Sequence, residues 1–416
     1  MDFGTGVNSE FVLQVTLTRS RPRLIAPSPV VPLLVVAVVS GSVMYVPQSE
    51  ARHGPLHQDH ETRGAKFGDF AGWLMPLEFD GGGVLAEHTA VRERVGLFDV
   101  SHMGTFVVTG PGAKDGLNEV FTNDLNRIGP GQAQYSLLCN DRAGVIDDLF
   151  VYLVSDERVI VVPNAANSSI VIGTVERVLE SSDVRVDDRS HSTAIIAVQG
   201  PASQQVIEAV GLPADLDYLH FAECDTDHGQ VLVARTGYTG ERGYELLVDA
   251  AYAQRWWGLL RTHAEALGGR ACGLGGRDTL RTEMGYALHG HELSVSINPL
   301  EAGLSWAIGW DKIAFPGLHE LRKIRQSGIQ RRLVGLKCVD RAIPRAGMVV
   351  RDVTDADVVL GKTTSGTFSP TLKSGIALAL VDADVNDGVE VVVDVRGRSC
   401  RAMVVRPPFV ESSPRD

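Results

Sequence analysis

Six short valine-rich runs end the chain, at residues 333–336, 348–351, 358–360, 376–381, 389–395 and 402–405, punctuated by Gly, Asp and Asn. Runs this short cannot complete an amphipathic helix, and their β-branched content suits a pleated surface. Short strands that each expose an apolar face have to close on one another. The segment 326–416 is therefore predicted to be a separate all-β barrel or sandwich of about 90 residues. The polar, basic stretch 322–330 reads as the connection to it.

Residues 51–325 follow a different rule. Apolar spacing predicts helices over 84–95, 168–179, 201–210 and 252–267. Between them lie β-rich stretches at 104–109, 146–153, 159–162, 231–234 and 244–248. The mixture is interspersed α+β, without the βαβ rhythm of a doubly wound parallel sheet. No repeat of solenoid length is visible.

The first fifty residues match neither pattern. Arg19, Arg21 and Arg23 precede an apolar run over 30–39, broken by Pro32 and followed by Ser40-Gly41-Ser42. The order imitates a secretory signal, but the run is far short of the roughly 20 residues that span a bilayer. Five scattered cysteines (Cys139, Cys224, Cys272, Cys338, Cys400), with no CxxC, favour a reducing compartment. Residues 1–50 are thus expected to be a disordered or non-native extension, with Met44 as the true start. No membrane association is expected, and the expected location is cytoplasmic. Lys plus Arg number 39 against 51 Asp plus Glu, a formal charge of −12, which excludes a general nucleic-acid binder. A small local basic pocket remains compatible with that balance.

Four constellations could carry chemistry. Gly273-Leu274-Gly275-Gly276 is dinucleotide-like only in composition and reads as a tight turn before a helix at 277–284. His289-x-His291-Glu292 on a strand, or His53, His57 and His60 at helical spacing, could bind metal. Neither set has a full ligand complement, so no metal is expected, and the second reads as a polar helix start. Asp147 and Asp148 interrupt an apolar strand and would point to opposite faces, one to solvent and one inward. A buried carboxylate is costly unless paired or hydrogen-bonded, so the pair marks either a site or a strand-end turn. The eleven residues from Arg235 to Glu245 hold three glycines, two tyrosines and two acids. They suit close approach to a planar ligand, or an ordinary glycine-rich hairpin.

Taken in order, Phe70-Ala71-Gly72-Trp73-Leu74-Met75-Pro76, residues 97–104, Tyr135-Ser136-Leu137, Asp147-Asp148, Asn164-Ala165-Ala166-Asn167 and Arg235 to Glu245 resemble the glycine cleavage system T protein family. Residues 273–278, Asn298-Pro299-Leu300-Glu301 and 364–372 continue the series, so that the resemblance covers about 53–410. This family comprises tetrahydrofolate-dependent aminomethyltransferases. The resemblance implies a three-domain cloverleaf around a folate cleft, with two interwoven α+β domains carrying antiparallel sheets (within 51–325) and a small C-terminal β-barrel (326–416). It implies lipoylated H protein as partner, with the other glycine cleavage components engaged indirectly. The reaction would move the aminomethyl carbon from H protein to tetrahydrofolate, giving 5,10-methylenetetrahydrofolate, ammonia and dihydrolipoyl H protein.

Residue by residue, the resemblance makes Asp148 the catalytic aspartate and Glu245 the carboxylate that recognises the pterin. Tyr135, Asn164 and Tyr238 line the pocket around the ring system, Met103 forms its apolar wall, and Arg277 stands near the anionic tail. Some positions depart from the family pattern. Arg242 replaces an acid and is expected to act at the surface, Pro163 makes a regular strand before Asn164 doubtful, and Phe409-Val410 lacks a tyrosine that some relatives use. Iron–sulfur assembly factors are less similar, since Gly269-Arg270-Ala271-Cys272-Gly273 only partly matches their Lys-Gly-Cys signature. Dimethylglycine and sarcosine oxidising enzymes need a flavin domain for which the chain has no motif. A folate-binding module without turnover is disfavoured by the presence of Asp148, Glu245 and Arg277.

Overall fold

The computed structural model describes residues 51–415, together with the backbone of a hairpin, Val36–Val39 paired with Ser42–Tyr45, in a separate small unit. Apart from that hairpin, the reading of residues 1–50 as an extension starting truly at Met44 lies outside the described residues.

Two antiparallel-rich sheets face each other across a shared core. The first has five strands in the order Arg185–Asp188, Phe106–Thr109, Arg158–Pro163, Val145–Ser155 and Gln132–Cys139. The second has six, in the order Phe221–Thr226, Gly229–Ala234, Gly243–Asp249, Thr193–Gln199, Gly96–Asp99 and Arg270–Cys272. Its last pair is parallel, an exception to the expected antiparallel pattern.

Strand periodicity explains the layering. Along Val145–Ser155, Leu149, Val151 and Leu153 join Leu117, Val171 and Val175 of the helices Ala113–Val120 and Ser168–Leu179. The alternate residue Tyr152 packs with Phe98, Ile195, Ala197 and Leu247 of the other sheet. The outer face of the six-stranded sheet is covered by Trp256, Trp257 and Leu260 of the helix Ala253–Ala266 and by Val206 and Ile207 of Ser203–Ala209. Both sheets are thus buried on both faces, which is why their strands hold runs of consecutive apolar residues. Burying each large side chain contributes about 1.5–3 kcal/mol.

The C-terminal runs form a closed barrel of six strands, Arg331–Cys338, Ser374–Asp382, Val359–Ser369, Val349–Asp352, Glu390–Val395 and Arg398–Val405, in that order around the wall. Alternate residues Val334, Leu336, Ala377, Ala379, Val391, Val393, Ala402 and Val404 fill it. Closure removes the sheet edges that six short strands would otherwise expose.

Three local expectations need correction. The basic stretch assigned to a connection is largely helical, Leu318–Ser327, with Leu318 and Leu321 buried. Its dense charge hid a narrow apolar stripe. The segment 273–276 is not a turn before a helix, because the helix Leu274–Met284 already contains Gly275 and Gly276. Those glycines serve close packing: a Cβ on Gly275 would sit 2.7 Å from Val84 Cγ2, and one on Gly276 would sit 3.3 Å from Glu87 Oε2. Among the three histidines near the start, the expected polar helix start holds at His57 but not at His60. His60 is buried in the short helix His57–Thr62, with Nε2 2.9 Å from Asp99 Oδ2.

Candidate active site

Asp147 and Asp148 occupy successive positions of Val145–Ser155 and point to opposite faces of the five-stranded sheet. Neither points to the outer surface as one of them was expected to, because helices cover one face, and on the other Asp148 opens onto a cavity in front of the second sheet. Asp147 is fully buried at the start of the helix Ser168–Leu179. Its Oδ2 accepts from the Asn164 backbone N–H at 3.0 Å, and its Oδ1 accepts from Nδ2 of Asn164 at 2.9 Å and of Asn167 at 2.7 Å. The positive end of the helix dipole adds to this support. Pro163 is the last residue of its strand, so the doubted regular pairing does extend to it and then stops. Beyond it, the Asn164 N–H is left free to meet Asp147.

Asp148 is half-buried and lines a cavity of about 310 Å³. The Tyr135 hydroxyl donates to its Oδ2 at 3.1 Å, and Asn164 Nδ2 donates to its Oδ1 at 2.9 Å. Burial raises the pKa of both acids. For Asp147 the adjacent Asp148 charge adds to burial and, against its amide donors, the value reaches about 7. For Asp148 the hydrogen bonds from the Tyr135 hydroxyl and Asn164 oppose the burial without cancelling it. Burial, reinforced by the Asp148 charge, also pushes the Tyr135 phenol well above its usual value, which keeps it a donor.

The six-stranded sheet supplies the opposite wall. Glu245, on Gly243–Asp249, accepts a 2.7 Å hydrogen bond from Thr236 Oγ1. Gly237 of the preceding loop and Gly243, which opens the strand, answer a packing need: a Cβ on either would lie 2.0 or 2.2 Å from the side chain of Gln199, whose amide donates to the carbonyls of Thr236 and Tyr244. Tyr238 donates its hydroxyl to the Ala287 carbonyl, and the Arg277 guanidinium lies 4.6 Å from the centre of its ring. Burial lowers the Arg277 pKa, an effect the Glu245 charge opposes, and its Nη1 is buried without a partner. Met103 lines the cavity beside His102, whose imidazole is pushed down to about 4 by burial, with Arg277 adding to the effect and Asp99 opposing it.

All seven residues singled out from the sequence, Asp148, Glu245, Arg277, Tyr135, Asn164, Tyr238 and Met103, line this one cavity. Sequence reading missed His102, Phe150 and Tyr152 as wall residues. The alternation of Asp148, Phe150 and Tyr152 along one strand face was the available signal.

Other expectations change once the side chains are placed. His289, His291 and Glu292 do not share a regular strand, since Gly290 turns the chain with φ 86°. His289 faces the cavity, while Glu292 accepts from Arg281 Nη1 at 2.9 Å. Among the described residues no cluster of three metal-ligating side chains occurs. Arg242 is half-buried, and its Nη2 donates to the Tyr244 hydroxyl at 3.2 Å. The five cysteines are all free thiols. Among the described residues no helix is long and apolar enough to cross a membrane.

Comparison with known proteins matches the same architecture. The GCVT N-terminal domain family matches residues 56–312, and the glycine cleavage T-protein C-terminal barrel domain family matches 331–411. An aminomethyltransferase of Parafrankia sp. (strain EAN1pec) is 52% identical over 366 residues, covering 88% of this chain and 100% of the relative. One of Mycobacterium tuberculosis (strain ATCC 25618 / H37Rv) is 49% identical over 363 residues, 87% of this chain and 97% of the relative. The crystal structure of glycine cleavage system aminomethyltransferase T from Bartonella henselae superimposes with a TM-score of 0.82 at 34% identity, covering 87% of this chain and 99% of that one. With both halves of the fold matched and half of the aligned residues shared with curated relatives, the chain belongs to the glycine cleavage T-protein family of aminomethyltransferases.

Proposed function

We propose that the cavity is where the glycine cleavage reaction of this chain takes place, with lipoylated H protein delivering the aminomethyl group and Asp148 acting beside the reacting atoms. The chain is an aminomethyltransferase of the glycine cleavage system, and tetrahydrofolate is its co-substrate. When bound, tetrahydrofolate supplies the amine nitrogens that receive the one-carbon unit.

The residues present suit such a molecule. Its ring edge carries several N–H donors, and Glu245 offers carboxylate lone pairs beyond the one used by Thr236. Its tail is anionic, and Arg277 has a buried Nη1 with no protein partner. Its rings are flat, and Tyr238, Tyr135 and Met103 provide aromatic and soft apolar wall. Local cationic charge from one arginine lets an acidic protein hold an acidic ligand.

Asp148 presents its carboxyl group to the cavity, oriented by Tyr135 and Asn164. A carboxylate stabilises positive charge developing on a neighbouring amine and can hold its proton. Asp147 acts through Asn164, whose amide spans both acids and fixes the geometry of the second. Glu245 orients the ligand from the other sheet. We place the activity in the cytoplasm, consistent with five free thiols.

The observation that carries this reading is the convergence of Asp148 and Glu245, from two different sheets, on one cavity. Mixing the purified chain with aminomethylated H protein and tetrahydrofolate should release ammonia. Asp148→Asn should lower that rate by about 10²–10⁴-fold while tetrahydrofolate binding is retained. Unchanged ammonia release by the variant would remove Asp148 from the mechanism, and tight folate binding without ammonia from the unaltered chain would leave only a binding module.

A further inference from the structure

His289 lies on the wall segment between Ala287 and His291, facing the same cavity as Asp148. Its Nδ1 is 3.1 Å from Nδ2 of Asn167. That amide nitrogen is also 2.7 Å from Asp147 Oδ1, on a carboxylate that already accepts from two N–H groups of Asn164. The Asn167 group between Asp147 and His289 is therefore the NH₂ end, a donor to both. A ring nitrogen that accepts carries no proton, so the neutral imidazole holds its proton on Nε2. This Nε2 is buried and has no partner in the protein.

Arg277 Nη1 and His102 Nδ1 are also buried in this cavity without a partner, but the groups beside Asp148 have no such proton to offer. Asp148 and Glu245 only accept when ionised. The hydroxyl protons of Tyr135 and Tyr238 are committed to Asp148 and to the Ala287 carbonyl, and the Asn164 amide is committed to the two acids. A heterocycle whose edge carries acceptors as well as donors needs a donor from the wall, and an unsatisfied buried donor is itself costly.

We infer that His289 is a ligand-binding residue, a neutral imidazole locked as the Nε2–H tautomer by Asn167, which donates to an acceptor atom of the reduced pteridine on the side of Asp148. The acceptor is of the ring carbonyl or ring nitrogen class. This rests on the reading of the cavity as the tetrahydrofolate site and adds a specificity element to it. The chain Asp147–Asn167–His289 gives the buried acid a second role, since it orients the amide that selects the tautomer.

Calorimetric titration of the folded protein with tetrahydrofolate tests this. His289→Leu should weaken binding about tenfold or more, while His289→Gln, which keeps an N–H donor at similar reach, should stay within about threefold of the unaltered protein. Imidazole ¹⁵N spectra of the unaltered chain should show an unprotonated Nδ1 and a protonated Nε2, with the Nε2 resonance moving on addition of tetrahydrofolate. Equal binding by His289→Leu, or a protonated Nδ1, overturns the inference; should His289→Leu fail to fold, the glutamine variant and the spectra decide. Weak binding by Glu245→Ala alongside normal binding by His289→Leu would reject His289 and keep the cavity reading. Failure of the unaltered chain to bind tetrahydrofolate would instead overturn that reading and the inference with it.

Discussion

Glu283 and Asp148 are both carboxylates held inside the same fold, yet one is ion-paired with an arginine and the other is held by a phenol and an amide. Glu283 Oε2 lies 2.9 Å from Arg92 Nη2 and 3.3 Å from His88 Nε2, and it accepts from Thr371 Oγ1 at 3.0 Å. Ser369 donates to its other oxygen. Burial alone would raise its pKa, but hydrogen bonding to and the charge of His88, with Ser369 and Arg92, bring it down to about 2. Asp148 meets a phenol and an amide, and its pKa rises. The neutralised acid joins three elements, namely the helix Gly83–Glu93 that holds His88 and Arg92, the helix Leu274–Met284 and the barrel end of Val359–Ser369. The acid left short of positive charge lines the cavity. Full pairing marks a structural joint here, and incomplete pairing marks the place where a ligand completes the electrostatics.

The largest effect that could overturn this contrast is on stability. Glu283→Gln keeps the shape but leaves Arg92 and His88 beside a neutral amide, and should cost about 3–5 kcal/mol in urea unfolding at pH 7. Because the folded pKa of Glu283 lies below its unfolded value, its contribution is present above about pH 4.5 and fades as the pH falls toward about 2. The variant should therefore lose its disadvantage across that same window. A variant that unfolds together with the unaltered protein would show that Glu283 is no joint.

Next in size, Glu245→Ala should weaken tetrahydrofolate binding by about 10- to 100-fold with little change in unfolding midpoint, since Glu245 answers to the ligand more than to the fold. An unchanged dissociation constant would remove it from recognition. Smaller still is the stability effect at the paired acids. Their folded pKa values are raised, so the stability they give is fully present below about pH 4 and is lost as the pH rises through the folded values, about 7 for Asp147. Asp148→Asn should flatten that slope and be about 1 kcal/mol more stable than the unaltered chain at pH 8, the opposite sign to Glu283→Gln. A loss of stability there would mean that Asp148, too, is a structural acid.

How much of this was legible beforehand follows from which signals are local. The barrel strands were visible because valine alternation survives in short runs, and Ser168–Leu179 because its apolar stripe is broad. The helix Leu318–Ser327 was hidden by five basic or acidic side chains among its ten residues, which left only Leu318, Leu321 and Ile324 as a stripe. Asp147 and Asp148 stood out as costly, and their opposite directions followed from strand geometry. Which of them faces the cavity depends on which sheet packs on which face, and that is a long-range fact. Glu283 gave no sign of its role, because its partners Arg92 and Ser369 lie 191 and 86 residues away. His289 was noticed for the wrong chemistry: its spacing from His291 suggested metal, while its real neighbour, Asn167, is 122 residues distant.

The finest test of the contrast removes one atom from the cavity acid's surroundings. Tyr135 donates to Asp148 Oδ2 at 3.1 Å, and its ring lies 5.8 Å from Phe150 edge-on and 5.3 Å from Trp306. Tyr135→Phe keeps those ring contacts and deletes only the donor. The hydrogen bond opposes the upward push of burial on Asp148, so its loss should raise that pKa further. A net hydrogen bond is worth about 1 kcal/mol, which corresponds to a little under one pH unit. The acid limb of ammonia release should therefore move up by less than about one unit, with the rate at pH 8.5 within about threefold of the unaltered chain. A downward shift would show that the phenol favours protonated Asp148 over the carboxylate, and that the cavity acid is held by something other than its two neutral donors.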